Sequence, residues 1–285
     1  MKRAAVILTL VILGLLNLTI LAGAQTGGAA PSGAQPSAAQ GKRPPQTKTQ
    51  PEYDAWKAAA ALTDAASADK AADDFATKFP DSEVRILLYK NAMRLYQNAN
   101  NGEKTEAMGR KVLALDGDDP EALVTVAEVI SEKTRDTDMD KEQRFAEAIS
   151  MAQKAMTTLD TDLSVPAGTP QDKIDAYKAG VRSQAYSIIG TIQFKKENYP
   201  AAQEDLQKAI DAYPSDPSPV DVLRLALTLD KLQKYPDALK VVNRVVDMTQ
   251  KDESGVIGTA ARRERDRLQQ LTGSAPPAQS APPKN

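Results

Sequence analysis

Asn198 to Pro217 reads NYPAAQEDLQKAIDAYPSDP, and Lys234 to Gln250 reads KYPDALKVVNRVVDMTQ. The two Tyr-Pro pairs begin at Tyr199 and Tyr235, 36 residues apart. Behind the first come Ala202, Leu206, Ala209 and Ile210, and behind the second Ala238, Val242 and Val245. Apolar residues three and four apart share one face of a helix, so each stretch predicts an amphipathic helix with a buried stripe. A pattern that returns at a fixed interval of this length marks a repeated helical unit that covers its apolar face with its neighbour.

Working outward, the helix starts are marked by Asp119-Pro120-Glu121, Thr169-Pro170-Gln171-Asp172 and Ser218-Pro219-Val220-Asp221, each a capping side chain before a proline. Proline suits the first helical position, where its missing N–H would be unpaired in any case. Asn101-Gly102 and Pro214-Ser215-Asp216-Pro217 separate helical stretches, and nothing between them alternates as a strand would. The chain of 285 residues is 41% hydrophobic and 26% charged but only 5% aromatic, a mixture that favours a folded protein of helices packed through small side chains. The expected class is all-α.

A 34-residue unit counted from Ser183 places Tyr186, Ile189, Gly190, Ala202, Leu206, Ala209 and Pro214 at positions 4, 7, 8, 20, 24, 27 and 32. A unit from Pro219 places Val222, Leu225, Ala226, Leu229, Ala238, Val242 and Val245 at 4, 7, 8, 11, 20, 24 and 27. These positions resemble the tetratricopeptide repeat (TPR) pattern. Further units start at Ile86, which departs from the pattern at Thr105 and Gly109, and at Pro120, whose second helix resumes at Ala148 only after about nine extra residues. A degenerate first unit contains Trp56, Ala68, Ala72, Phe75 and Pro80. The resemblance implies about five helical hairpins closed by a helix near Gly255 to Leu271, a repeat domain over 52–272 stacked as a right-handed superhelix.

Around that domain the composition changes. Lys2 and Arg3 precede an apolar run from Ala4 to Leu21 and the small triplet Ala22-Gly23-Ala24, the pattern of an export signal over residues 1–24. Cleavage after Ala24 would give a periplasmic or secreted protein, and retention would give a membrane anchor carrying a periplasmic domain. Residues 25–51, rich in Pro, Gly, Ala and Gln, read as a flexible linker, and 273–285 as a disordered tail.

The chain has no His and no Cys, which removes imidazole and thiolate catalysis, Cys/His metal ligation and disulfides. No phosphate-binding glycine motif is present, and Asp or Glu pairs, which a carboxylate-based enzyme would need, are not marked by spacing. A formal charge of −2, or −4 without Lys2 and Arg3, offers no basic surface for nucleic acid. The run Ala261 to Arg267 alternates in sign and reads as the soluble face of the closing helix.

The resemblance implies that the first helix of each hairpin lines a concave groove, with positions 2, 5, 9 and 12 facing a partner. These are Leu87, Lys90, Arg94 and Gln97, then Glu121, Val124, Glu128 and Ser131. They continue with Gln184, Ser187, Thr191 and Phe194, and with Val220, Leu223, Leu227 and Asp230. Lys90 and Arg94, one turn apart, suit either a carboxylate of the partner or a solvated face. Position 9 holds Arg94, Glu128, Thr191 and Leu227 instead of the asparagine with which relatives clamp a peptide terminus. In the insertion, Asp136, Asp138, Asp140 and Glu147 fall at places 1, 3, 5 and 12 of a calcium loop, with Lys141 where glycine belongs. That segment is read as a calcium site or as a solvated acidic turn. The expected function is a non-catalytic scaffold of a bacterial cell envelope, without a cofactor, that binds a protein or peptide. A secreted calcium-dependent binding module and a carboxylate-based enzyme are the alternatives.

Overall fold

The computed structural model describes residues 41–166, 168–251 and 255–273. Among these there is no strand, and the chain forms eleven helices. They are α1 (Gln50–Ala60), α2 (Ala65–Lys78), α3 (Arg85–Asn98), α4 (Gly102–Leu115), α5 (Pro120–Lys133), α6 (Lys141–Thr158), α7 (Gln171–Lys195), α8 (Tyr199–Ala212), α9 (Pro219–Lys231), α10 (Tyr235–Met248) and α11 (Val256–Thr272). Each helix packs on its neighbours in the chain, and α5, α7, α9 and α11 also touch in succession. The result is five hairpins, α1/α2 to α9/α10, stacked in order and closed by α11.

The helix starts follow the expected chemistry at two of three places. Asp119 Oδ1 accepts from the Ala122 amide at 2.9 Å ahead of Pro120, and Ser218 Oγ accepts from the Asp221 amide at 3.4 Å ahead of Pro219. Thr169 does not cap, because its hydroxyl donates instead to the Pro166 carbonyl at 2.8 Å, and α7 begins at Gln171. That helix runs 25 residues, starting well before the unit counted from Ser183, so the repeat's first helix and the Thr169-Pro170 start belong to one rod.

Three hairpins turn in the same way. Asn100, Glu197 and Gln233 are left-handed, with φ of 56°, 58° and 59°. The next amide then reaches back to the helix: Asn101 N to Tyr96 O, Asn198 N to Gln193 O and Lys234 N to Leu229 O, each 2.9 Å. This six-to-one bond satisfies a carbonyl left over at the helix end and reverses the chain in few residues. The α5/α6 hairpin lacks it, since the insertion at 134–140 makes the connection there.

Side chains from the facing stripes form three successive cores. The first joins α2, α3 and α4 around Ala92, Met93 and Val112; the second joins α5, α6 and α7 around Val126, Phe145 and Ile192; the third joins α8 to α11 around Leu206, Val222, Val242 and Leu268. Full burial of one such aliphatic side chain stabilises by about 1.5–3 kcal/mol. Gly190 lets α7 and α8 approach, because a Cβ there would lie 2.8 Å from Leu206 Cγ and 3.0 Å from the Leu206 backbone nitrogen. Gly109, a departure from the repeat pattern, does the same between α4 and α5, where its Cβ would meet Val126 Cγ2 at 2.5 Å.

The start of the chain's described part corrects the linker boundary. Residues 41–49, expected to be flexible, lie against the hairpins, and α1 begins at Gln50 with the Thr49 hydroxyl accepting from the Glu52 amide at 3.3 Å. The buried Glu52 carboxylate takes the Ser82 hydroxyl at 2.5 Å and the Lys48 amide at 2.7 Å. Burial would raise its pKa, and these hydrogen bonds lower it. Composition hides this docking, which depends on single charged residues meeting opposite charges on distant loops. Residues 1–24, read as an export signal, residues 25–40 and residues 274–285 lie outside the described residues.

Candidate interaction face

The odd-numbered helices carry the residues that the repeat pattern assigns to partner binding. The structure uses many of them to join one hairpin to the next. Lys90 on α3 lies 2.8 Å from Asp119 and 2.9 Å from Glu121, and Arg94 forks onto Glu121 at 2.5 and 2.7 Å. Asp119 and Glu121 sit at the N-terminus of α5, where the helix dipole favours a carboxylate. Both acidic side chains and Lys90 are largely removed from water, while Arg94 keeps 43% of its side-chain exposure.

The electrostatics are those of a closed group. Burial would raise the Glu121 carboxyl, yet the Lys90 and Arg94 charges overcome it and hold it at about 2. Burial likewise opposes the charge on Lys90, and Glu121 and Asp119 more than offset it, so its pKa is raised. Tyr177, from the upstream part of α7, completes the cluster, and burial together with the Glu121 charge raises its phenol. Lys90 and Arg94, read as a grip for a partner's carboxylate or as a solvated face, here pair with carboxylates of the next repeat. The acidic Asp119-Pro120-Glu121, one repeat further along, is the sequence signal that identifies their partner.

Similar links continue along the stack. Gln184 on α7 donates to Glu128 on α5 at 3.0 Å, and Lys195 Nζ donates to the Ser131 and Thr134 carbonyls at 2.5 and 3.2 Å. Ser187 donates to Asp221 on α9 at 2.6 Å, and Arg267 on α11 pairs with Asp230. Burial and the nearby Arg224 charge lower the pKa of Lys195, which sequence reasoning passed over because it falls just beyond the last groove position. Thr191 and Leu223, expected to face a partner, are buried, and the Thr191 hydroxyl donates to the Ser187 carbonyl at 2.6 Å. Leu87, Gln97, Phe194 and Leu227 remain partly exposed on this face. Phe194 and Leu227 lean on the third core, and Phe194 meets the Tyr199 ring edge-on at 5.7 Å between centroids.

The four insertion carboxylates are not brought together. Asp138 accepts from the Arg135 amide at 2.9 Å, and Asp136 lies 3.6 Å from Lys141 Nζ. Glu147 is already on α6 and pairs with Arg110 of α4 at 3.0 Å. Lys141 begins α6 in place of the glycine turn that would fold a loop around an ion.

No family model and no curated protein matches the sequence. Among solved structures the chain is similar to YrrB, described as a TPR protein with an unusual peptide-binding site, at 17% identity over 71% of this chain and 86% of that one, with a TM-score of 0.45. It is also similar to MamA, at 16% identity over 66% and 88% with a TM-score of 0.41. For Acl4, an assembly chaperone of RpL4, the identity is 12% over 78% and 99%, with a TM-score of 0.39. The fold is a tetratricopeptide-like stack of helical hairpins, on the strength of its own helix order and packing.

Proposed function

We propose that the protein is a non-catalytic scaffold, exported to a bacterial cell envelope, that holds a peptide or protein segment against the face of its odd-numbered helices. The observation that carries this reading is the partly exposed apolar pair Phe194 and Leu227 on the successive helices α7 and α9. Polar side chains elsewhere on α7 and α9 already bridge neighbouring repeats, so a partner gains most from apolar contact, where burial needs no exchange of ion pairs. The absence of His and Cys from the whole sequence supports a binding role over catalysis. The basic start and apolar run of residues 1–24 support export.

The test is crosslinking in an envelope fraction with the intact chain and with Leu227→Glu, each checked for the same melting curve. Loss of the same crosslinked partner from the variant is expected, and undiminished crosslinking overturns the assignment of this face. Lys90→Glu with Arg94→Glu would be a poor probe, because it breaks the joint between α3 and α5.

A further inference from the structure

The segment ahead of α1 crosses the loops of three successive hairpins. The Gly41 backbone passes the Leu163 carbonyl after α6 so closely that a Cβ would sit 2.5 Å from that oxygen, and its φ of 153° suits glycine. Lys42 Nζ then lies 2.7 Å from Asp116 after α4 and 3.8 Å from Asp162. Arg43 places its guanidinium 2.9 Å from both Glu83 oxygens after α2, and the Gln46 amide donates to Glu83 at 3.2 Å. Lys48 Nζ finally donates to the Asp81 carbonyl at 2.9 Å. Between these contacts Pro44 and Pro45 favour an extended backbone and remove two amide donors.

We propose that residues 41–48 are an internal stand-in for a ligand: a basic, proline-stiffened strap seated on an acidic edge that can also receive an extended basic, proline-containing peptide. The edge combines Glu83, Asp116 and Asp162, one from each of three loops, so its charges repeat along the stack as an extended strand of cations requires. Asp118 and Asp160 on the same loops are engaged elsewhere, by Lys154 at 2.7 Å and Lys178 at 2.7 Å. The contacts are built to exchange. Lys42 and Arg43 keep 46% and 60% of their side-chain exposure, so their pairs are weak and screened by salt. What favours the strap over a separate peptide is its attachment, which keeps its local concentration high.

The probe is a labelled peptide, GKRPPQTK, identical to residues 41–48, followed by fluorescence anisotropy at low ionic strength. The full chain carrying Lys42→Glu and Arg43→Glu, which drive the strap off the edge, should bind the peptide about tenfold more tightly than the unaltered chain. Gly41→Ala, which frees the first contact without changing charge, should move binding in the same direction. Adding Glu83→Gln and Asp116→Asn to the released variant, which removes the edge charges without giving the altered strap new partners, should abolish it, as should about 0.5 M salt. Equal binding to the intact and released chains overturns the proposal, and so does peptide binding that survives loss of Glu83 and Asp116. Absence of binding to a released variant that melts like the unaltered chain also overturns it.

Discussion

The joint between α3 and α5 and the joint among α8, α9, α10 and α11 perform the same task with different chemistry. The former closes on Lys90, Asp119 and Glu121, held largely out of water, and on the partly exposed Arg94. The latter closes on Leu206, Val222, Leu225, Val242, Val245 and Leu268, all buried and all apolar. An apolar joint loses stability gradually, methyl group by methyl group. A buried ionic joint is balanced between desolvation and attraction, and removal of one partner leaves the other charged and unsolvated. Hairpins alike in backbone therefore differ in how they fail: the α3–α5 joint is sensitive to single charges and acid, whereas the C-terminal joint is sensitive to volume.

The largest break should come from Glu121→Ala, which leaves Lys90 and Arg94 facing only Asp119 and should destabilise by about 3 kcal/mol in a chemical denaturation series. The same joint should yield to acid. Glu121 is held at about 2, below the unfolded carboxylate at roughly 4.3, so its contribution is complete above the unfolded value and is lost as pH falls towards 2. Hydrogen exchange at falling pH should open α3 and α5 before α9 and α10, and Glu121→Gln should flatten that dependence. Simultaneous opening of both regions would erase the contrast.

Glycine substitutions sharpen the comparison at a smaller scale. Gly190→Ala presses on the Leu206 backbone and should cost about 2 kcal/mol, because a helix axis has to move. Gly109→Ala presses on the Val126 and Met93 side chains and gains helix propensity, so it should cost about 1 kcal/mol in thermal melts. A reversed order would mean that the α4–α5 contact is the stiffer one. The smallest effect belongs to calcium. With Glu147 drawn to Arg110 and Asp138 closing its own turn, several millimolar calcium should leave the melting temperature unchanged. A rise reversed by Asp138→Ala would show that the insertion refolds around the ion.

The repeat architecture was legible because its signals are local. Apolar spacing, a proline after a capping residue and the Tyr-Pro pair all act within one turn, and Pro120 and Pro219 start helices where the sequence places them. Gly109 looked like a defect against the pattern, yet it compensates Val126 on the next helix, a match that only packing displays. The candidate face was less legible for a related reason. Position within a helix tells which way Lys90 or Ser187 points, but not whether Glu121 or Asp221 from the following hairpin is waiting there. Leu223, too, is covered by its neighbours, whereas Phe194 and Leu227 keep part of their surface.

The seat of the strap also imposes an order in time. Residues 41–48 are synthesised before every helix of the described residues, but Lys42 meets Asp116 across 74 positions of chain, and the Leu163 carbonyl that receives Gly41 follows α6. The hairpins close short loops and can form as soon as their two arms exist, while the strap must wait until three of them have been laid down. What is made ahead of the hairpins is thus among the last parts to settle, and during that interval the acidic edge stands open.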